Sequence, residues 1–186
     1  MMKRALVGIA LAAMVVVPAS SQAQARRSAS HPVRLALAAG VAMPMSDWSD
    51  AVGTGFHLEG TGTKNLSGAP VFVRGEAAFT MFGSKEYANS GVKGSGNQIA
   101  GIVDLGWNFA STSSVKPYVL GGLGLHHSTY KVSANGGSAS DSKDELGLNL
   151  GGGMRFKMGG RVAYLEARYM SAGDVKALPI GFGVEF

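Results

Sequence analysis

Hydrophobic and polar residues alternate along most of this chain, in stretches of about ten residues that are each followed by a turn or loop. Successive side chains of a β-strand point to opposite faces, so a period of two predicts strands. The chain contains about eight such stretches, an even number as single-chain bacterial membrane barrels require. The predicted strands are Val33–Met43, Gly55–Gly62, Val71–Phe82, Gln98–Phe109, Pro117–Tyr130, Glu145–Phe156, Arg161–Met170 and Leu178–Phe186.

Each predicted strand has one apolar face and one face of small or charged residues. The sixth strand shows this pattern well, because Leu146, Leu148 and Leu150 alternate with glycine and asparagine. The fifth is less regular, since Tyr118 and Leu120 fall on the face opposite to its other large apolar residues. A sheet with two such different faces has one face toward a core and the other toward its surroundings.

Alternation alone does not establish which face lies inside the barrel. A soluble barrel buries its apolar face, whereas a membrane barrel turns that face to lipid. The polar face consists mainly of glycine and alanine with single charges, which suits a narrow interior, and the apolar face is almost free of charge. The last strand also ends on an aromatic residue, Phe186. These features favour a membrane barrel, with a soluble exported barrel that binds an apolar ligand as an alternative.

Composition supports strands and excludes thiol chemistry. The 186 residues include 28 glycines, which disfavour helices, and only 16% are charged, against about 25% in an average soluble domain. The sequence has no cysteine, which excludes disulfides, thiolate metal sites and a lipid anchor on cysteine.

The N-terminal 25 residues have the pattern of a signal peptide. Lys3 and Arg4 precede an apolar run from Ala5 to Val17, and Ala23-Gln24-Ala25 provides a cleavage site. We therefore predict a signal peptide over 1–25 and a barrel domain over 26–186. Cleavage would lower the net charge from +5 to +3, which is too small a charge to indicate a nucleic-acid partner.

The predicted connections differ in length at the two ends of the barrel. Three are short and are expected on the periplasmic side with both termini: Asn65–Gly68, Ala110–Ser114 and Met158–Gly160. The longer ones, expected outside the cell, are Met45–Thr54, Gly83–Asn97 and Lys131–Asp144, with a shorter fourth, Ser171–Lys176.

Several segments resemble the small outer-membrane β-barrel domain family of the OmpA/OmpX type. They are PYVLGGLGL at 117–125, YLEARY at 164–169 and the closing PIGFGVEF at 179–186. The resemblance implies an eight-stranded antiparallel up-and-down transmembrane barrel in the outer membrane, reached by signal-peptide-dependent export. It also implies a monomer in contact with membrane lipid and lipopolysaccharide.

The closing strand resembles the signal that the outer-membrane barrel-assembly machinery recognises. Gly181, Val184 and Phe186 match that pattern, although Ile180 stands where a polar residue is expected. The resemblance therefore implies that the assembly machinery is a partner of this chain.

Charged residues on the small-residue faces form the main candidate constellation. Parity places six of them inside the barrel: Arg74, Glu76, Asp104, Arg155, Glu166 and Arg168. Charges in a packed interior must pair, because an isolated buried ion loses its hydration without compensation. We predict a structural ion-pair network that plugs the barrel, with a narrow ion path as the alternative.

One motif suggests catalysis. His126 and Ser128 share a face, and Glu145 is a possible acid on the next strand, as in a base-activated serine. The surroundings do not resemble lipid-modifying barrel enzymes, so a lipid-modifying hydrolase stays an alternative. No metal site and no cofactor are expected, because His126 and His127 point to opposite faces and His57 lies elsewhere. The sequence thus favours a non-enzymatic outer-membrane protein with an envelope-structural or surface-interaction role.

Overall fold

The computed structural model describes residues 32–87, 90–134 and 136–186. The signal peptide predicted over 1–25 lies outside these residues. The described chain forms eight strands and one short helix. In chain order they are β1 Arg34–Pro44, α1 Asp47–Ala51, β2 Gly53–Asn65, β3 Val71–Glu86, β4 Lys93–Asn108, β5 Val115–Ala134, β6 Gly137–Met158, β7 Arg161–Ala172 and β8 Val175–Glu185.

The sheet is closed. Each strand pairs antiparallel with its neighbours in sequence, and β1 pairs with β8, so that Leu37 lies opposite Val184. Closure gives every strand a partner on both sides within the barrel wall, and residues 137–146 of β6, which extend beyond the pairing with β7, keep one unpaired edge. The predicted fold, an eight-stranded antiparallel up-and-down barrel, is confirmed.

The two faces of the sheet are arranged as in a membrane barrel. Leucines such as Leu125 and Leu150 point outward and are 70% and 68% exposed, whereas charged side chains point inward. Tyr118 and Leu120, the irregular residues of the fifth predicted strand, are buried inside. Because the large apolar residues cover the outside, the soluble barrel with an apolar ligand cavity is wrong for the described residues.

The strands are longer than the alternation predicted. Most of Lys131–Asp144, predicted as a loop, belongs to β5 and β6, which pair up to Ala134 and Gly137. Much of Gly83–Asn97 likewise lies in β3 and β4. These extensions have polar residues on both faces, so they show no period of two. Beyond Leu125 and Leu146 the pair projects past the apolar band, and residues 127–134 and 136–144 are called the β5–β6 hairpin below.

A two-residue turn joins β6 to β7. Met158 pairs with Arg161, and Gly159 and Gly160 between them have φ values of 55° and 83°. Hairpin turns with two positive φ angles strongly favour glycine, since side chains are strained there. This turn lies on the predicted periplasmic side and keeps that end of the barrel compact.

An apolar cluster packs at the opposite end of the barrel, which is predicted to be external. Residues 45–54, predicted as a plain loop, contain α1, and Trp48 of this helix packs edge-on against Phe82 with the ring centroids 5.6 Å apart. Tyr130 lies 5.6 Å from the same indole, and its hydroxyl is 2.6 Å from that of Tyr87. The cluster is called the external lid below; its members are Ala42, Trp48, Ala51, Val52, Phe82, Tyr130, Val175 and Ala177. None of the described helices is long and apolar enough to cross a membrane.

Candidate functional site in the charged interior

Below the external lid, six charged side chains fill the middle of the barrel. They come from β2, β3, β4 and β7, and each residue is at most 7% exposed. This group is called the charged layer below and consists of Glu59, Arg74, Glu76, Asp104, Glu166 and Arg168. Side chains alternate between the two faces of each strand, and all six of these lie on the inner face. Closure of the sheet then brings them together across the interior.

Arg74 binds Glu166 through two parallel hydrogen bonds. Its Nη1 donates to Oε2 at 2.9 Å and its Nη2 donates to Oε1 at 2.7 Å. The Nε atom of Arg74 lies 3.6 Å from Asp104 Oδ2 and 3.9 Å from Glu76 Oε2. The bidentate form is the strongest geometry for a guanidinium and a carboxylate, and it fixes the distance between β3 and β7.

Arg168 connects all four carboxylates of the layer. Its Nη2 donates to Glu76 Oε2 and lies 3.4 Å from Glu59 Oε2. Its Nη1 lies 3.4 Å from Asp104 Oδ2, and its Nε donates to Glu166 Oε1. A single guanidinium therefore links carboxylates carried by four strands.

Two tyrosines supply further hydrogen bonds to the layer. Tyr118 donates its hydroxyl to Glu166 Oε2, and Tyr164 donates to Glu59 Oε1 at 3.0 Å. Both phenol rings are buried. These bonds matter because a carboxylate removed from water needs donors for its lone pairs.

Arg155, the remaining predicted network residue, lies in a separate layer at the end of the barrel predicted to be periplasmic. Its Nε donates to Glu185 Oε1 at 2.9 Å and its Nη1 to Asn108 Oδ1 at 2.7 Å. The guanidinium carbon lies 4.1 Å from the centroid of the Tyr118 ring and 4.8 Å from that of Phe72, as in cation–π contacts. Arg155 is buried, and the sequence did not indicate its separation from the charged layer.

This chain is similar to known outer-membrane proteins. Residues 9–186 match the family described as outer membrane protein beta-barrel domain. The chain belongs to this family. Its members' outer-membrane location agrees with the apolar outward face, and no curated protein matches the chain.

Solved structures of outer-membrane proteins share the fold. Neisserial surface protein A is similar with a TM-score of 0.60 at 17% identity, over 82% of this chain and 95% of that one. Ail, the attachment invasion locus protein of Yersinia pestis, has a TM-score of 0.54 at 23% identity, over 83% and 99%. OprG from Pseudomonas aeruginosa has a TM-score of 0.53 at 17% identity, over 84% and 98%. At these identities the likeness establishes the fold of the family and no more.

The geometry does not assemble the catalytic arrangement considered from the sequence. His126 is buried, and neither of its ring nitrogens has a hydrogen-bond partner among the described residues. The hydroxyl of Ser128 instead accepts a hydrogen bond from Gln98 Nε2 at 3.0 Å. A serine needs a hydrogen-bonded base to become a nucleophile, and His126 does not provide one here.

The interior also contains a group that sequence reasoning missed. His57 on β2, Glu59 on β2 and Glu76 on β3 each bring one possible ligand atom within 4.8 Å of those of the other two. The His57 Nε2 atom lies 3.4 Å from Glu59 Oε2. The inward parity of His57 and Glu59 was visible in the sequence, but their position relative to Glu76 depends on strand register.

The predicted assembly residues lie on or next to β8. Gly181 is opposite Gly40 across the junction with β1, and Val184 is opposite Leu37. Phe186 follows the strand, is exposed, and its backbone N–H donates to Leu35 O at 2.8 Å. Their role as an assembly signal stays a prediction.

Proposed function

We propose that this chain is a non-enzymatic integral outer-membrane protein whose barrel interior is closed to ions and which serves envelope integrity or surface contact. The observation that carries the proposal is the position of Arg168, which is hydrogen-bonded or ion-paired to carboxylates on four strands. A path for ions through the barrel would have to break these contacts.

Three successive layers support a closed interior. The external lid lies at one end, the charged layer in the middle, and the Arg155–Glu185 pair at the periplasmic end. Eight-stranded barrels have an interior just wide enough for side chains to fill it. Breaking a buried ion pair is costly because each partner is left without hydration, so thermal fluctuations would open such a path rarely.

Recordings in planar lipid bilayers test the closed interior. We expect the refolded protein to show no steady conductance, and the variant Trp48→Gly to behave the same, because the charged layer closes the barrel without the lid. The variant Trp48→Gly/Glu76→Ser/Arg155→Ser/Arg168→Ser removes side chains from all three layers and should conduct. Steady conductance of the unaltered protein would disprove the closed interior.

The β5–β6 hairpin supports a role at the cell surface. It extends beyond the apolar band, and a strand needs only about 9–11 residues to cross the membrane, whereas β5 and β6 have 20 and 22. Structurally similar proteins include one described as a surface protein and one as an attachment invasion locus protein. We propose lipopolysaccharide and membrane lipid as the contacts of a monomeric barrel, delivered by its signal peptide and inserted by the assembly machinery.

Heparin-like ligands do not fit this hairpin and its surroundings well. Ail has been crystallised with the heparin analogue sucrose octasulfate. Here Lys143 lies 3.5 Å from Asp174, Lys85 lies 3.9 Å from Asp50, and His127 Nδ1 lies 2.7 Å from Asp144. The two lysines are paired with carboxylates, which lowers their attraction for a polysulfate.

Replacing residues 131–140 by a two-residue turn tests the surface role. We expect the barrel to remain folded and the cells to become more sensitive to detergent or to lose contact with their target surface. The replacement Ser128→Ala serves as the test for catalysis, and we expect it to leave the lipid A profile unchanged. If the shortened hairpin changes neither property, the surface role is disproved while the closed interior is unaffected.

A further inference from the structure

The charged layer contains more negative than positive charge. Four carboxylates face two guanidinium groups, and these two are the only arginine or lysine side chains that the described residues bring to them. If all six are ionised, two negative charges remain uncompensated in a closed interior. Such an excess is unfavourable where water cannot screen it, so a bound cation would stabilise the layer.

We propose that a divalent cation of the zinc class binds inside the barrel to His57, Glu59 and Glu76. A doubly charged ion would neutralise the excess of the layer. The set of one imidazole and two carboxylates suits zinc, and one further position would remain for water. This inference rests on the closed interior proposed above and does not depend on the proposed surface role.

The distances fit such an ion. Zinc binds nitrogen and oxygen at about 2.0–2.2 Å, so the ligand atoms of a tetrahedral site lie roughly 3.3–3.5 Å apart. The His57 Nε2 atom is 3.4 Å from Glu59 Oε2. One ligand atom from each of His57, Glu59 and Glu76 lies within 4.8 Å of the other two, and a small rotation of the Glu76 side chain would complete the set.

In each of the three side chains, the polar atom that would not bind the metal has a hydrogen-bond partner that orients the side chain. His57 Nδ1 is hydrogen-bonded to Thr80 Oγ1 at 2.8 Å, which leaves Nε2 to face the carboxylates. Tyr164 holds Oε1 of Glu59 at 3.0 Å, and Arg168 holds Oε2 of Glu76. Outer partners of this kind fix ligand orientation in metal sites and are usually present around them.

A buried oxygen without a hydrogen-bond partner supports the metal site independently of the distances. Glu76 Oε1 is buried and has no hydrogen-bond partner among the described residues, although the side chain of Glu76 is fully shielded from solvent. Buried carboxylate oxygens are normally hydrogen-bonded or bound to a metal. This oxygen is therefore available as a ligand that no protein donor already occupies.

Metal content after refolding tests the site. The barrel is refolded in detergent with zinc, passed through a chelating resin and analysed by mass spectrometry of the element. We expect one zinc per barrel, and its loss in His57→Gln and Glu76→Gln. His126→Gln, which alters a buried histidine without carboxylate contacts, and His127→Gln, which removes an external histidine, should both keep the metal.

Cobalt provides a measurement that does not rely on any variant. Cobalt bound to the unaltered barrel should show the visible absorption bands of a four-coordinate ion, and acid should release it because protons compete for the ligands. Absence of zinc and of these bands in the folded barrel would overturn the proposal and mean that protons neutralise the layer. Retention of the metal by His57→Gln would likewise overturn it, since the ion would then lie elsewhere.

Discussion

Arg74 on β3 and Glu166 on β7 meet across the barrel interior through two hydrogen bonds of 2.9 and 2.7 Å, although 92 residues separate them in the chain. Neither strand is a neighbour of the other in the sheet. The pair therefore ties opposite walls of the barrel together, which the backbone ladder cannot do.

Removing one partner of this pair should destabilise the barrel strongly. In Arg74→Met the carboxylates of Glu166 and Asp104 lose a buried cation, and we expect the free energy of unfolding to fall by about 3–5 kcal/mol. Urea titration of the protein in lipid vesicles measures this. Lys64→Met, which alters an exposed lysine of β2, should change the free energy of unfolding little.

The double variant Arg74→Met/Glu166→Met tests whether the two residues stabilise the barrel through their direct interaction. With both charges replaced, no charge of this pair remains uncompensated, so we expect a smaller loss of stability than in Arg74→Met. Equal or greater loss in the double variant would contradict a direct coupling between the two residues.

Two glycines of β4 should differ sharply in their tolerance of a methyl group. A Cβ at Gly106 would lie 2.0 Å from Cζ of Phe72, whose ring is fully buried against Tyr118, whereas a Cβ at Gly101 meets nothing within 4 Å. We expect Gly106→Ala to lower the free energy of unfolding by about 1–3 kcal/mol. Gly101→Ala, measured in the same urea titration, should be neutral, and equal effects would contradict the packing described.

Charge on the outer face should cost more in the middle of the membrane than at its edge. Val103 lies midway along the apolar outer face of β4 and is 63% exposed to the surroundings, which here are lipid. We expect Val103→Arg to lower the free energy of unfolding in vesicles by about 2–4 kcal/mol. Val33→Arg, at the periplasmic end just before β1, should cost about 0–1 kcal/mol. A similar cost at both positions would contradict the assignment of the membrane-spanning band.

The last residue of the closing strand should matter for insertion in cells. We expect Phe186→Ala to reduce several-fold the amount of barrel in the outer-membrane fraction, detected as a band that shifts on boiling in a denaturing gel. Phe109→Ala, an exposed aromatic after β4, is the matched control and should insert normally. Equal loss in the two variants would point to a general need for interfacial aromatics rather than to an assembly signal.

The strands could be predicted because lipid and a packed interior impose opposite requirements on alternate residues. Leu148 and Asn149 show this, since the first faces outward and the second is buried. The strand ends could not be predicted in the same way. Around Ser140 and Asp141 both faces of the strand meet water, so apolar and polar residues no longer alternate. The backbone pairing with β5 nevertheless continues there.

The interior charges could be identified by parity, but not their partners. Glu76 lies two residues from Arg74, yet its closer contact is with Arg168 on β7. Such pairs depend on the tilt of the strands and on the register around the whole barrel, which no local pattern encodes. For the same reason the sequence pattern does not predict that His57 lies close to Glu76.

The junction between β1 and β8 has a consequence for the order in which the barrel forms. The β5–β6 hairpin pairs residues that are close in sequence, such as Ala134 and Gly137, whereas β1 and β8 join the two ends of the described chain. Bringing distant segments together has the largest entropy cost, so this junction is expected to close last. Until it closes, two strand edges remain unsatisfied in lipid, and an early sheet would need another protein's strand to cover them.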